Sequence, residues 1–458
     1  MPAYMIIYLI ILIPCTFIAF YYAFFMIVSL LCHRQKYEMV EDSQKFCIFV
    51  PCHNEESVIG ATVENLSKIN YNEDLFDVYF IADNCQDKTA EAIRNTINKL
   101  GKTQSFHVLE RNVTDPLKRG KPHALRWGMD LLESQDGFYN KYDMFIIFDA
   151  DNFVDADILK HMNSQYLSYK ENKRPVMIQA YLDSKNKDNL IARGYYVSYR
   201  YTNGFFQLPR HKLGLAVGIG GTGFAMSTKF LEEIGGYNCK SLVEDLEIQT
   251  IATLKGRRIV YNHNTRIYDE KPTGFKAATV QKTRWCQGHW WVCFKYSWRL
   301  IGKMLNPKEI KYFFKRFDCL INLFNLNTML LAMICSVYTI ILQILKLPFG
   351  IPILGNITSA LFIVSLLMFP VSSLLDGKKE EKKRVLIDFI PNMISLAINA
   401  ISYYYANIIG LFNCKNQTVW KKTVHKVTTM ESANEEKQQD CVVVDTDEED
   451  MKENIQEN

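Results

Sequence analysis

Residues 142–151 read YDMFIIFDAD, and this stretch decides the fold class. It contains the strongest strand pattern in the chain, MFIIF, and two carboxylates follow that run at once. A fully apolar run bounded by polar residues is typical of a strand buried on both faces, as in a parallel sheet. Ligands of parallel sheets bind at the carboxyl ends of the strands. Asp149 and Asp151 therefore stand where a ligand is expected.

Three further apolar runs precede this stretch, and helical patterns separate them. The runs are KFCIFVPC at 45–52, FDVYFIAD at 76–83 and SFHVLE at 105–110. Strands that alternate with helices predict βαβ units, and hence an α/β domain with a mostly parallel sheet. Polar residues again follow the strands, since Glu55 comes after the first run and Asp83 closes the second.

Length, cysteines and charge exclude several classes of protein. A chain of 458 residues is too long for one small binding module. Its twelve cysteines form no C-x-x-C pair and no Cys/His metal spacing, so neither a disulfide framework nor a zinc site is indicated. Residues 431–458 hold eleven acidic and two basic side chains, which leaves the body basic. A basic body suits anionic lipids and phosphate-bearing ligands, or simply solubility.

Apolar runs flank the predicted domain on both sides. Residues 4–32 carry no charge, and about 20 such residues are enough to cross a bilayer. Three more apolar runs occupy 319–345, 349–375 and 385–413. Basic residues directly follow the first run, and positive charge favours the cytoplasmic side. The sequence therefore predicts a multi-pass protein of the cell membrane with a cytoplasmic domain.

We expect five parts along the chain. They are a transmembrane helix at 4–32, a cytoplasmic domain at 33–280, amphipathic interfacial helices at 281–318, about three transmembrane helices at 319–413 and a disordered acidic tail at 414–458. The interfacial part rests on four tryptophans mixed with Arg and Lys, a combination that favours the headgroup layer. The last apolar run contains Pro391 and Asn392, so the alternative that it does not fully cross remains open.

The polar residues at the strand ends are candidates for binding a nucleotide and a metal. Asp149 and Asp151 can offer oxygens to a divalent cation that neutralises a diphosphate, although such pairs also occur in solvated turns. Asp83 could accept hydrogen bonds from a base or ribose, or belong to a helix cap. Lys121 lies in a turn-prone loop that enters a helix, where it suits phosphate oxygens or is simply solvated.

Two later segments complete the set of candidates. Residues 213–227, LGLAVGIGGTGFAMS, are rich in glycine without the spacing of a P-loop, which indicates a close backbone approach to a ligand or a tight strand bend. Glu244 and Asp245 precede a helical pattern, where acidic residues are usually structural because they complement the helix dipole. Only their neighbours can identify Asp245 as a catalytic base.

Read in order, the motifs resemble those of membrane-integrated family 2 glycosyltransferases, such as cellulose, hyaluronan, chitin and poly-N-acetylglucosamine synthases. The motifs are PCHNE, ADNCQD, RGKPHAL, FDADN, GGTG, VEDLE and QKTRW, between one N-terminal and several C-terminal apolar segments. The resemblance covers about residues 4–425 and implies a GT-A-like nucleotide-sugar-binding domain inserted between transmembrane helices. Val243 and Lys282 depart from it, because many relatives carry Thr and Arg at these positions.

The resemblance also implies roles on the donor side. Asp83 would hold the uridine part of a UDP-sugar, and the strand-end segment that includes Glu55 would form another wall of that pocket. Lys121 would lie near the diphosphate. Asp149 and Asp151 would hold Mg²⁺ or Mn²⁺, with Asp149 also lying beside the donor.

On the acceptor side, the resemblance implies a base and a closing motif. Asp245 would be the general base, with Glu244 beside it. Gln281, Arg284 and Trp285 would close over the donor and hold the acceptor sugar, on which an indole face can stack. Trp290 and Trp291 could add to the stacking.

These residues predict an inverting glycosyltransferase that moves a sugar from a UDP-sugar to a growing β-linked polysaccharide. The alternative is a non-processive enzyme with a membrane lipid as acceptor. A polysaccharide would need a polar lane through the bilayer. The candidates are Asn322, Asn325 and Asn327 in the first C-terminal run and Asn399, Tyr403, Tyr404 and Tyr405 in the last. The alternative is that these side chains only form hydrogen bonds between helices. The expected partners are the donor, the acceptor and membrane lipids, with a possible accessory membrane subunit and no nucleic acid. A non-enzymatic scaffold would have no reason to place carboxylates at successive strand ends.

Overall fold

The computed structural model describes residues 2–32, 36–115, 118–347 and 382–417, together with isolated residues between 360 and 375. Residues 418–458 of the predicted acidic tail and most of the apolar run at 349–375 lie outside the described residues.

A single mixed sheet forms the centre of the domain. Its strands are β1 (Phe46–Cys52), β2 (Phe76–Asp83), β3 (Phe106–Arg111), β4 (Met144–Ile147), β5 (Phe153–Val154), β6 (Met177–Ser184), β7 (Phe224–Ser227) and β8 (Ile259–Asp269). Their order in the sheet is β3-β2-β1-β4-β7-β6-β8-β5. The pairs β1·β2, β1·β4, β2·β3 and β6·β8 are parallel, and three others are antiparallel. The predicted mostly parallel α/β fold is confirmed.

The central strands β1, β2 and β4 form because their side chains are buried on both faces of the sheet. In β1, alternate residues enter opposite cores: Phe46, Ile48 and Val50 pack on one side, and Cys47 and Phe49 on the other. This two-sided burial explains why the strands read as continuous apolar runs rather than alternating ones.

Fourteen helices are described. They are α1 (Ala3–Leu31), α2 (Glu56–Leu66), α3 (Thr89–Leu100), α4 (Lys121–Asp136), α5 (Phe138–Lys141), α6 (Ile158–Leu167), α7 (Leu190–Thr202), α8 (Leu208–Leu213), α9 (Thr228–Glu233), α10 (Glu244–Leu254), α11 (Phe275–Met304), α12 (Phe313–Leu323), α13 (Asn325–Ile344) and α14 (Phe389–Asn413). Helices α2, α3 and α6 cover one face of the sheet, whereas α4, α5 and α8 to α10 cover the other. The expected boundary between residues 280 and 281 falls inside α11.

Three of the described helices are long and apolar enough to cross a membrane: α1, α13 and α14. Helices α1 and α13 run antiparallel. Asn325 at the start of α13 accepts a hydrogen bond from Tyr22, and Tyr338 near its end donates one to the carbonyl of Tyr4 at 3.1 Å. The two helices therefore form an antiparallel pair, and one end of the pair lies at the domain.

A buried ion pair attaches this helical pair to the domain. Arg210 Nε of α8 lies 2.9 Å from Asp318 Oδ1 of α12, and the hydroxyl of Tyr21 in α1 donates to the same oxygen. Asp318 Oδ2 also accepts from the backbone N–H of Ala216 at 3.1 Å. A buried charge is stable only when it is paired and hydrogen-bonded, so this carboxylate fixes α1, α8 and α12 relative to one another.

Candidate active site

Asp83 lies at the carboxyl end of β2 and is buried in an ion pair. Its Oδ1 accepts a hydrogen bond from Arg111 Nη1 at 2.5 Å, and its Oδ2 accepts one from the backbone N–H of Gly120 at 3.3 Å. The first turn of α3 is capped instead by Asp87, which accepts from the N–H of Thr89 at 3.1 Å. Asp83 therefore pairs with Arg111 at the edge of the sheet and does not cap α3.

Two asparagines shape the loops after β1 and β2. Asn54 and Asn84 adopt positive φ angles of 57° and 53°, which Asn tolerates better than most residues. The side chain of Asn54 accepts from the N–H of Gln86 at 2.7 Å, so the two loops are tied together. Glu55 follows directly, is buried, and donates its backbone N–H to Thr89 Oγ1 at 2.8 Å. The loops thus bring Glu55 to the edge of the sheet at which Asp83 lies.

Lys121 connects the strand ends to the start of α10. Its Nζ donates to Asp149 Oδ1 at 2.6 Å and to the carbonyl of Gly221 at 2.7 Å, and it lies 3.6 Å from Glu244 Oε1. Burial lowers the pKa of this ammonium group, but the carboxylates of Asp149 and Glu244 outweigh it and raise the pKa to about 12. Lys121 is therefore a fixed positive charge between two predicted site residues, Asp149 and Glu244.

Asp149 and Asp151 lie in the turn after β4. The backbone N–H of Asp149 donates to Asn152 Oδ1 at 2.9 Å and to Thr222 Oγ1 at 3.2 Å, which holds the turn in place. Asp151 is buried and accepts from Asn152 Nδ2 at 3.3 Å. Asn152 thus contacts both halves of the turn.

The donor set fits a divalent cation that also binds the substrate. Within the described residues, no group of three or more His, Cys, Asp or Glu side chains is placed to hold an ion by itself. Mg²⁺ is commonly bound by one or two carboxylates plus substrate phosphates and waters. Asp149 and Asp151 match that arrangement, because they supply two carboxylates and leave the other positions to a diphosphate.

The backbone of the glycine-rich segment lies close to the carboxylate of Asp245. Gly221 has a φ of +76°, and a Cβ at this position would lie 3.2 Å from Asp245 Oδ2. Only glycine combines that conformation with that proximity. The segment leads into β7, and its close approach is to the side chain of Asp245, while the interpretation that it approaches a ligand stays a prediction.

Three buried glutamines hold this segment, and no sequence pattern indicated them. Gln207 accepts from the N–H of Gly218 at 2.8 Å, Gln249 accepts from Ile219 at 3.1 Å, and Gln179 accepts from Gly220 at 2.9 Å. Each carboxamide accepts where a neighbouring strand would otherwise do so, because residues 216–222 belong to no strand, whereas Gly223 already bonds to β4 and β6. These side chains fix the backbone that Lys121 and Asp245 contact.

Asp245 stands in the first turn of α10 with a raised pKa. Burial and the adjacent carboxylate of Glu244 raise its pKa to about 7, against the lowering effects of the Leu246 N–H, Lys121 and Arg284. A base is most effective when its pKa lies near the working pH. Asp245 therefore has the proton affinity of a general base at neutral pH.

The predicted closing motif lies on α11. Arg284 is close enough to Asp245 for its charge to lower the pKa of that carboxyl group. Trp285 is half-buried and packs edge-to-face on Tyr195, with ring centroids 6.1 Å apart. Gln281 Oε1 is enclosed and has no hydrogen-bond partner among the described residues. Of the three side chains, Arg284 is the one whose charge acts on the predicted base, Asp245.

The other tryptophans of α11 do not form part of this pocket. Trp290 is buried, and its Nε1 donates to Asn407 Oδ1 of α14 at 2.8 Å. Trp291 is partly buried, with Lys295 Nζ 4.0 Å from its ring centroid. The expectation that Trp290 and Trp291 extend the stacking surface does not fit these positions, because Trp290 packs between helices and Trp291 pairs with a cation.

Charged residues at the ends of β3 and β8 were missed by the sequence reasoning. Arg111 ends β3 and pairs with Asp83, as described above. Asp269 ends β8 and pairs with Lys271, whose Nζ lies 4.5 Å from the ring centroid of Tyr199 and 5.9 Å from that of Trp285. Burial raises the pKa of Asp269, and Asp151 contributes to the rise, so this pair adjoins the predicted metal site. The rule that ligands bind at strand ends could have found both.

Comparison with known proteins identifies the family. The family described as "Glycosyltransferase like family 2" matches residues 43–288, which is more than half of the chain. The chain therefore belongs to this family. The matched range contains every candidate site residue from Glu55 to Trp285.

The names of two curated relatives state different products, a glycolipid and a polysaccharide. The beta-monoglucosyldiacylglycerol synthase of Trichormus variabilis is 27% identical over 271 residues, which cover 59% of this chain and 54% of that protein. Glucomannan 4-beta-mannosyltransferase 7 of Arabidopsis thaliana is 25% identical over 258 residues, covering 56% and 44%. The chain thus spans about half the length of these curated relatives.

A solved structure confirms the GT-A-like fold. The mannosyltransferase PcManGT of Pyrobaculum calidifontis, in complex with GDP-Man and Mn²⁺, superposes with a TM-score of 0.53 and 14% identity. The superposition covers 86% of this chain and 98% of that one. At this identity the likeness concerns the fold alone.

Proposed function

We propose that the protein is a membrane-bound, inverting glycosyltransferase that uses a UDP-sugar and transfers the sugar to an acceptor hydroxyl presented at the membrane surface. The observation that carries the proposal is the position of Lys121, which contacts Asp149 on one side and Glu244, next to Asp245, on the other. The ammonium group of Lys121 thereby joins the residues suited to bind a diphosphate with the residue suited to deprotonate an acceptor.

The nucleotide occupies the loops after β1 and β2. The buried pair of Asp83 and Arg111 offers a carboxylate for the hydrogen-bond donors of uridine, and Glu55 forms the adjacent wall. Lys121 donates to the diphosphate, at the N-terminus of α4 where the helix dipole also favours an anion. Asp149 and Asp151 would hold Mg²⁺ or Mn²⁺, which stabilises the negative charge of the leaving diphosphate.

Asp245 supplies the base. Its carboxylate accepts the proton of the acceptor hydroxyl while that oxygen attacks the anomeric carbon. The bond from this carbon to the UDP oxygen breaks, and UDP leaves with the electron pair. A single displacement on an α-linked donor inverts the configuration, so the product linkage is β. Arg284 and Lys121 lie beside the base and keep enough of it ionised near neutral pH.

A membrane lipid is the acceptor that the described residues favour. Three of the candidates for a polar lane are engaged elsewhere: Asn325 binds Tyr22, Asn327 contacts Cys293, and Asn399 binds Ser198 and Lys282. A sugar chain that crosses a bilayer needs polar groups that remain available to it. A relative whose name states a diacylglycerol product also supports a lipid acceptor.

A β-linked polysaccharide is the second candidate, and Trp285 favours it. This half-buried indole adjoins Lys271 and Tyr195, a combination suited to stacking on a sugar ring. The glucomannan-synthesising relative supports the same interpretation.

The domain is proposed to lie on the cytoplasmic face of the cell membrane. Helix α1 is followed by basic residues, including Lys36, and positive charge favours the cytoplasmic side. Residues 281–318 are proposed to lie at the membrane surface, because α11 and the segment after it expose Trp298, Leu305 and Phe314 next to exposed cations.

The purified protein in lipid vesicles tests the acceptor. It is incubated with a radiolabelled UDP-sugar and Mn²⁺, and the product is partitioned between organic solvent and water. Label in the organic phase, sensitive to a β-glycosidase, is expected for the lipid acceptor. Label in a large water-soluble product that persists in Trp285→Phe and shortens in Trp285→Ala would support the polysaccharide instead.

A further inference from the structure

Helix α14 contacts the domain at both of its ends and along its middle. Asp388, which precedes its first turn, lies 3.6 Å from Arg193 Nη1 of α7. Asn399 in its middle donates to Ser198 Oγ at 3.0 Å. Just after its last turn, the side chain of Gln417 accepts from the N–H of Leu242 at 2.8 Å.

These contacts are incompatible with a helix that stands upright in a bilayer next to the domain. The 25 residues of α14 extend over about 37 Å at 1.5 Å per residue, which exceeds the hydrocarbon thickness of a membrane of about 30 Å. If α14 crossed, one end would lie on the far side of the membrane. Both ends instead contact α7 and the loop before α10, which belong to the domain.

The side of α14 that faces the domain is polar and closely packed. Lys282 of α11 is buried and donates to Asn399 and Ser402 of α14, and Trp290 donates to Asn407. Gly194 allows the approach, because a Cβ there would lie 2.8 Å from the carbonyl of Ser395. These are the contacts of a helix docked on a protein surface by its polar face.

The opposite side of α14 is an exposed apolar stripe. Its members are Ile390, Ile394, Ile401, Tyr405 and Phe412, which are between 47% and 80% exposed. Their spacing of four and seven residues places them along one line of a helix. Soluble proteins rarely leave such a continuous apolar surface uncovered.

The position of α14 relative to α13 identifies the occupant. Asn407 Nδ2 donates to the carbonyl of Leu326, in the first turn of α13, at 2.9 Å. Helix α14 therefore passes α13 at the point where that helix leaves the domain, at the surface of the bilayer that α1 and α13 are suited to cross.

We propose that α14 is an in-plane helix, with its polar face docked on the domain and its apolar stripe in the surface layer of the bilayer. The last apolar run then does not cross, the alternative that Pro391 and Asn392 left open in the sequence. It also follows that the chain returns to the side of the domain before Asp388 and that residues after Gln417 begin on that side.

Depth-dependent fluorescence quenching tests this in the full chain, reconstituted in vesicles of phosphatidylcholine and phosphatidylglycerol. A fluorescent amino acid is introduced by stop-codon suppression at Ile390, Ile401 or Phe412. Lipids brominated near the headgroup or near the chain end serve as quenchers. Matched sites in α1, at Ile6, Phe17 and Leu30, provide the control for a helix that crosses.

Shallow bromines are expected to quench all three sites of α14 equally, and deep bromines none of them, whereas α1 shows its deepest quenching at Phe17. Deepest quenching at Ile401 would show that α14 crosses and would overturn the proposal. Absence of quenching at all three sites would equally overturn it, because the stripe would then be covered by protein instead of lipid.

A second measurement uses the intact chain with an epitope after Asn458. In sealed vesicles, protease added from the side of the domain is expected to remove the epitope and cleave the domain together. Protection of the epitope while the domain is cleaved would contradict the proposal, independently of any effect of the fluorescent residues on folding.

Discussion

The two halves of the candidate site are built differently. The strand-end half, with Asp83, Lys121 and Asp149, is held by the sheet and by the loops that follow its strands. The helical half, with Arg284 and Trp285, is held by α11, whose support comes from α14, more than a hundred residues further along the chain. The first half therefore depends on the sheet, and the second depends on the packing of α11 against α14.

This difference predicts which substitutions remove chemistry and which loosen the geometry around it. Changes in the strand-end half and at the base should abolish transfer while the protein remains folded. Changes at the contact between α11 and α14 should reduce stability and transfer together.

The largest effect is expected at the predicted metal pair. Asp149→Asn or Asp151→Asn should reduce sugar transfer to background, because each removes a charged oxygen that the cation and the diphosphate require. Excess chelator should do the same to the parent protein. Asp157→Asn, an exposed acid beyond the same turn, serves as the control and should transfer normally. Full activity of the parent in chelator would remove the metal from the mechanism.

The next effect is that of the base. Asp245→Asn should lower turnover by about 10²- to 10⁴-fold, the range of general base catalysis, because the amide cannot accept the acceptor proton. Binding of the UDP-sugar, measured by calorimetry, should stay close to that of the parent. A comparable loss of binding would instead make Asp245 part of the donor pocket.

The pH dependence should report the environment of Asp245. Its pKa is raised to about 7 and the active form is the carboxylate, so turnover should be lost as the pH falls through about 7. Glu244→Gln removes the neighbouring negative charge, which lowers the pKa of Asp245 and moves this limb to lower pH. Glu233→Gln, an acid outside the site on α9, should leave the limb unmoved. A limb that stays in place in Glu244→Gln would disconnect it from Asp245.

The smallest effect is expected at the contact between α11 and α14. Lys282→Met loses charged hydrogen bonds to Asn399 and Ser402, which should cost about 1.5–3 kcal/mol of unfolding free energy. Transfer should fall less than in Asp245→Asn. Lys276→Met, on an exposed position of the same helix, is the matched control. Because the partners are shared, Asn399→Ala should add little to Lys282→Met, and full additivity in thermal unfolding would contradict the contact.

The sequence was informative where side chains follow strands. Apolar runs predicted β1, β2 and β4, and the carboxylates after them could be placed at one edge of the sheet before any coordinates existed. It was uninformative for residues that act across long separations. Nothing around Gln179 or Gln249 indicates that their carboxamides replace a strand beside the glycine-rich segment. Likewise, hydropathy identifies α14 as apolar but does not show that its polar face binds Lys282.

The central claim is that Lys121, Asp149 and Asp245 form one nucleotide-sugar transferase site. Release of a nucleoside diphosphate from a panel of UDP- and GDP-sugars by the purified protein tests it most directly. We predict UDP release from at least one UDP-sugar with Mg²⁺ or Mn²⁺ present, abolished in Asp149→Asn and strongly reduced in Asp245→Asn. UDP release that is unchanged in both variants, or release of GDP alone, would contradict the account.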